Sequence, residues 1–338
     1  MAEDAAIELH RDAVIELCKP GHALAPDSGS ATVNNPAWFR SRSGQLQPTG
    51  RRALLHESIL AESRAAAPEA LNERKAIIMA GPPGAGKGYV RDEVLGDSRK
   101  NYLVIDADEF KAALLRQAMA DGSYESWIKP ESVKEREAAG ESFFPMELAS
   151  LVHEESSQLA QEQRRAAISQ GTNIIVDTVL SSEESARKLG EQLAAANYVI
   201  EVIDVEVPFG VSQQRIVQRW QETYEEALSG KSDLGGRWVP SEYARDVFDG
   251  PEGRSKPSFV SEQLAKECPA VMRHRAYWTS SEEAAKPKAT AVVVQDLKRN
   301  IAGGPLLDSK LAVVHQRVAA SRPGGTVERG SDGPGIGS

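Results

Sequence analysis

The eight residues Gly81-Pro82-Pro83-Gly84-Ala85-Gly86-Lys87-Gly88 follow directly on an apolar run over 76–80 and lead into a helical pattern over 89–95. This is GxxxxGK in the strand, loop, helix setting that the motif requires. Its glycines let successive backbone N–H groups turn inward around an anionic phosphate, the helix N-terminus adds partial positive charge, and Lys87 adds a full one. A plain Gly-Pro turn needs neither the glycine spacing nor the lysine. The chain is therefore expected to bind ATP or GTP on 81–88. One position departs from the usual pattern: Gly88 stands where a Ser or Thr normally places its hydroxyl on Mg²⁺, and Tyr89 follows. Metal must then be held mostly by phosphates, water and an acidic side chain.

Further short apolar runs at 102–106, 173–177, 199–205 and 291–294 alternate with helical patterns. Continuous β-branched runs separated by helices mark a buried, mainly parallel sheet flanked by helices, the α/β fold of a P-loop kinase. Upstream, Ile7, Val14, Ile15 and Cys18 can share one helix face, 20–50 reads as a Pro, Gly and Ser-rich loop, and a second helix is expected over 50–66. Downstream, a last helix is expected over 306–320, and the Gly and Pro-rich end is expected to be disordered. The predicted organisation is an N-terminal helical and loop extension (1–72), a kinase domain (73–300) and a C-terminal helix with a disordered tail (301–338).

Across 338 residues, 40 Lys and Arg against 49 Asp and Glu give a formal charge of −9. That leaves no global basic field to gather nucleic acid or anionic lipid. No stretch approaches the length of a membrane span and the acidic N-terminus lacks a signal-peptide core, so a cytoplasmic location is expected. Cys18 and Cys268 form no CxxC pair and imply neither a disulfide framework nor a zinc site.

In a doubly wound sheet the ligand sits at the C-terminal ends of the strands. Asp108 lies just past the run 102–106, where a carboxylate can accept the proton of an attacking hydroxyl. A second reading makes it a cap for a helix beginning at Glu109. Asp106 could share metal or positioning duty, and Asp177, with Thr178 after it, suits Mg²⁺ or substrate contact. Over 147–168 a helical stripe carries Leu148, Val152 and Leu159, and on it fall Glu155 and Glu162. Carboxylates on a buried stripe are costly unless paired or aimed into a cleft, so both are candidates for polar substrate groups or for ion pairs with Arg164 or Arg165. His153 has no companions at metal spacing. Arg215 and Arg219 share a helix face, and Arg237 sits in a Gly-Gly-Arg-Trp-Val-Pro loop; cationic groups of this kind stabilise a transferring phosphoryl group.

The blocks GPPGAGKG, VIDADEFK, NIIVDT, VPFGVSQQRIVQRW and GGRWVPSEYARDVF, in this order, resemble the zeta toxin family of P-loop kinases over roughly 73–300. The resemblance implies a nucleotide-dependent kinase that phosphorylates a hydroxyl of UDP-N-acetylglucosamine and is restrained by an antitoxin protein. It places Lys87 as the phosphate-loop lysine, Asp108 as the catalytic base, and Arg219 and Arg237 as phosphate contacts. Asp177 takes the place of the acid that opens the family's Glu-Gly-Thr motif, but the Gly is missing and Thr178 follows directly. Two other readings fit the residues: a small-molecule or nucleoside-monophosphate kinase without a toxin role, and a nucleotide-binding switch without phosphotransfer.

Overall fold

The computed structural model describes residues 2–309. Helix α1 (Ala2–Leu17) is followed by the strands β1 (Phe39–Arg42) and β2 (Gln45–Pro48) and by α2 (Arg51–Ala65). The pair β1/β2 is a hairpin inside the segment expected to be loop. Its turn residues Ser43 and Gly44 have φ of 51° and 78°, the positive values that a two-residue turn needs to match strand twist. The chain continues through β3 (Lys75–Ala80), α3 (Lys87–Leu95), β4 (Leu103–Asp106), α4 (Ala107–Asp121), α5 (Glu131–Ala138), α6 (His153–Gln170), β5 (Ile174–Asp177) and α7 (Glu183–Ala195). It then forms β6 (Val199–Glu206), α8 (Phe209–Leu228), α9 (Ser241–Phe248), α10 (Lys256–Glu267), β7 (Val271–Trp278), α11 (Ser281–Ala284), β8 (Val292–Lys298) and β9 (Leu307–Asp308).

The sheet runs β4-β5-β3-β6-β7-β8-β9, with its first five strands parallel. Both faces of this part are covered. Along β6, Ile200 and Val202 enter one core while Ile203 and Val205 enter the other, which is why the strand reads as an unbroken apolar run. The phosphate-loop strand β3 lies between β5 and β6, so the chain builds outward from it in both directions and leaves a crevice at its C-terminal end.

Three expectations change. The valine run at 292–294 is not a buried parallel strand: β8 pairs antiparallel with β7, and Val292, Val293 and Val294 are exposed. The fifth parallel strand is β7, whose apolar pattern is broken by Arg273, His274 and Arg275; Arg273 pairs with Asp296 and Arg275 with Glu201. The stripe at 147–168 is not one helix, because 145–152 winds as a tighter 3₁₀ turn before α6 begins at His153. The expected C-terminal helix and tail lie outside the described residues, apart from its first positions, where Leu307 and Asp308 are strand. Among the described residues no helix is long and apolar enough to cross a membrane.

Candidate active site

Two glycines of the phosphate loop are fixed by close backbone approach. A Cβ on Gly81, at φ 140°, would lie 2.2 Å from the Val205 carbonyl oxygen, and one on Gly84, at φ 72°, would lie 2.7 Å from that of Ser212. The loop is thereby pressed onto β6 and the start of α8. From α8, Ser212 Oγ donates to the Pro83 carbonyl (2.8 Å) and Arg215 donates to those of Gly84 (3.3 Å) and Ala85 (3.1 Å). Arg215 is thus a brace behind the loop as well as a cation beside it. Helix α3 starts at Lys87 with no side-chain cap, leaving its first amides for an anion. Lys87 Nζ donates to the Gly81 carbonyl at 3.1 Å and lies 3.8 Å from Asp177 Oδ1.

In front of this loop opens a cleft of about 540 Å³. Its walls include Lys87, Arg91, Arg215 and Arg219 among the cations, and Asp106, Asp108, Glu109, Asp177 and Glu222 among the acids. Parallel register sets Asp106 directly opposite Asp177 at the ends of β4 and β5. Asp106 also caps α4, its Oδ1 accepting from the Asp108 amide at 2.8 Å. The cap expected at Asp108 therefore belongs to Asp106, and Asp108 sits within the first turn of α4, free to use its carboxylate elsewhere.

That carboxylate is held between two cations. Lys111 Nζ donates to Oδ1 at 2.9 Å, and Arg237 donates to Oδ2. Burial alone would raise the Asp108 carboxyl, but Arg237 and Lys111 outweigh it and hold it at about 2. Its neighbour behaves oppositely: burial, then the charges of Asp177 and Asp108, push Asp106 up to about 6. Asp177 is likewise raised by burial, against the pull of Lys87 and Arg91. The site is divided into an ionised carboxylate clamped by cations and a pair of crowded acids whose carboxyls burial raises. Such a pair fits Mg²⁺, which takes one or two protein carboxylates and keeps water and phosphate oxygens for its remaining positions. Among the described residues no group of three or more His, Cys, Asp or Glu could hold a metal.

Lys111 is the residue that sequence reading missed. Lys111 is buried, and burial and Arg237 lower its ammonium. The spacing Asp108 to Lys111, one helical turn, was the available signal for it. Arg237 reaches the site because its loop is pinned: a Cβ on Gly236 would lie 2.4 Å from the Trp220 carbonyl oxygen, and one on Gly235 the same distance from Phe144 Cβ.

Three predicted substrate residues are not in this cleft. Glu155 is fully buried under α2, where Arg52 binds both its oxygens (2.5 and 2.6 Å) and His56 lies 2.7 Å away. Its partner is an arginine 103 positions away, rather than Arg164 or Arg165, and the carboxylate is unavailable to any substrate. Glu162 is exposed, since the core side of α6 at this level is taken by Gln163. Thr178 turns its hydroxyl onto the Leu180 amide at 3.2 Å, just beyond Asp177.

A family model described as Zeta toxin matches residues 57–256, more than half of the chain. No curated protein matches it in sequence. Among solved structures, a chain of the AvrRxo1-ORF1:AvrRxo1-ORF2 complex with sulphate ions is similar at 18% identity and a TM-score of 0.49, over 80% of this chain and 73% of that one. A chain from the PezAT chromosomal toxin-antitoxin system of Streptococcus pneumoniae is similar at 12% identity and a TM-score of 0.48, over 72% and 81%.

Proposed function

The chain belongs to the zeta toxin family, and on that premise we propose that it is a kinase that transfers the γ-phosphoryl group of ATP to a hydroxyl of a small molecule. The observation that carries this reading is the clamped carboxylate of Asp108, which shares one cleft with the phosphate loop. The donor's phosphates lie on the amides of 81–88 and on Lys87, and Arg219 and Arg237 face the transferring group. Asp108, ionised at all physiological pH, accepts the proton of the acceptor hydroxyl as the bond to phosphorus forms. For that step Arg237 releases Oδ2 and turns to the phosphoryl oxygens, while Lys111 keeps Oδ1 in place. Asp106 and Asp177 would hold Mg²⁺, which supplies charge neutralisation on the phosphates when bound.

The acceptor is a UDP-amino sugar such as UDP-N-acetylglucosamine on the strength of the family resemblance, with Asp177 and Thr178 nearest to the family's substrate motif. An antitoxin protein as restraining partner, and toxicity to the producing cell, rest on the same ground. Mass spectrometry of metabolites phosphorylated on expression identifies the acceptor. Asp108→Asn is expected to lower phosphotransfer by about 10²- to 10⁴-fold, the usual size of a lost general base, with ATP still bound; Lys87→Ala should lose ATP itself. Wild-type turnover in either variant would overturn the assignment.

A further inference from the structure

Gly88 removes from the phosphate loop the hydroxyl that normally fixes Mg²⁺, and what occupies that flank is a cation. A Cβ built on Gly88 meets only Arg91, whose guanidinium nitrogen lies 3.9 Å away. One turn along α3, Arg91 lines the same cleft as Lys87, Asp106 and Asp177, and its side chain is 13% exposed. Its Nε is anchored on Asp92 Oδ1 at 2.8 Å, which leaves the terminal nitrogens for the cleft. Besides Asp92, the acids acting on it are Asp177 and Glu109. A fixed guanidinium fork is well matched to phosphate oxygens.

Resting on the kinase reading above, we infer that Arg91 is a phosphate-binding residue that supplies, at this flank of the nucleoside triphosphate, positive charge that a hydroxyl-held Mg²⁺ supplies in an ordinary phosphate loop. Donor binding is then partly uncoupled from the divalent ion. In the presence of Mg²⁺, Asp106 and Asp177 would hold the ion, whose charge would add to that of Arg91 on the phosphates. The absence of the hydroxyl and the presence of the arginine belong together: a Ser or Thr at 88 would bring a metal ion toward a guanidinium of the same sign.

The test is ATP binding by titration calorimetry, in EDTA and in excess Mg²⁺, on the full chain. The wild type should bind ATP in EDTA. Arg91→Met should weaken that binding by tenfold or more, the usual scale of a lost charge-assisted hydrogen bond, with a much smaller loss in Mg²⁺. Arg91→Lys should keep most of the EDTA affinity. Gly88→Ser, which adds only an ordinary contact at 3.9 Å, should make binding more dependent on Mg²⁺ and should restore Mg²⁺-dependent affinity to Arg91→Met. It also provides a reading should Arg91→Met fold poorly. Equal affinity of wild type and Arg91→Met in EDTA, or equal losses in both buffers, would overturn the inference. Lys87→Ala separates the two levels: if it alone abolishes ATP binding, only the role of Arg91 fails, whereas retained binding in Lys87→Ala would remove the phosphate-loop reading itself.

Discussion

Asp108 carries one cation on each oxygen, and the two have different fates in turnover. On the proposed kinase reading Arg237 turns to the phosphoryl group, whereas Lys111, buried and one turn away on the same helix, stays. On the same reading Lys111 is a positioning residue that also keeps the Asp108 carboxylate ionised. Replacing it with Met removes one of the three charges, with those of Arg237 and Arg219, that hold Asp108 at about 2 instead of 3.8. A carboxyl with a depressed value loses its charge only when pH falls to that value, so raising it moves the loss to higher pH. The acid limb of the kcat/KM profile should shift upward in Lys111→Met, with KM for ATP little changed; an unmoved limb would count against the role. The place of Asp108 in the cleft was legible in the sequence because the residue sits at the end of an apolar run after a phosphate loop. Its clamp was less legible: Asp106-Ala107-Asp108-Glu109-Phe110-Lys111 shows the lysine, but nothing in a linear reading says that it is buried, nor that a loop from 129 positions away will close the other side.

At the scale of elements, periodicity located most of the parallel strands because both their faces are apolar, and it failed where charge pairs cross the sheet. Strand β7 hides two arginines by giving each a carboxylate from a neighbouring strand, a feature that only pairing reveals. The same blindness misassigned Glu155. A charged residue on a buried stripe was correctly seen as costly, but its partners, Arg52 and His56, lie on α2 and are recognisable only once that helix packs on α6. This ion pair is a locking contact of the N-terminal segment. Removing one side of a buried pair leaves the other charge uncompensated, so Arg52→Met should destabilise the chain by about 3–5 kcal/mol. Urea unfolding measures this, and a loss below about 1 kcal/mol would show that the pair is solvated. The double change of Arg52→Met with Glu155→Leu should recover much of the loss.

At the scale of the whole molecule, a pH dependence of stability is expected from two buried acids on β6, the strand on which the phosphate loop is pressed. Asp204 and Glu206 share one face of β6 beneath α10, both buried, with Ser255 donating to Glu206 at 2.6 Å. Burial raises both carboxyls, and the charge of Asp204 raises Glu206 further. The native state then keeps protons that the unfolded chain has already lost, so stability falls as pH rises above the ordinary carboxylate range until the pair ionises. Melting temperature should decline from mildly acidic to alkaline pH, and Asp204→Asn should flatten that decline; an unchanged slope would mean that other groups control it. The docking of α1 and α2 has a temporal side as well. Their polar anchors, His10, Arg52 and His56, are made first, and their carboxylates Glu147 and Glu155 follow some hundred positions later. Synthesis proceeds from the N-terminus at about 5–20 residues per second, so for several seconds these helices leave the ribosome with no surface to settle on. The sheet must assemble against a segment that has been waiting for it.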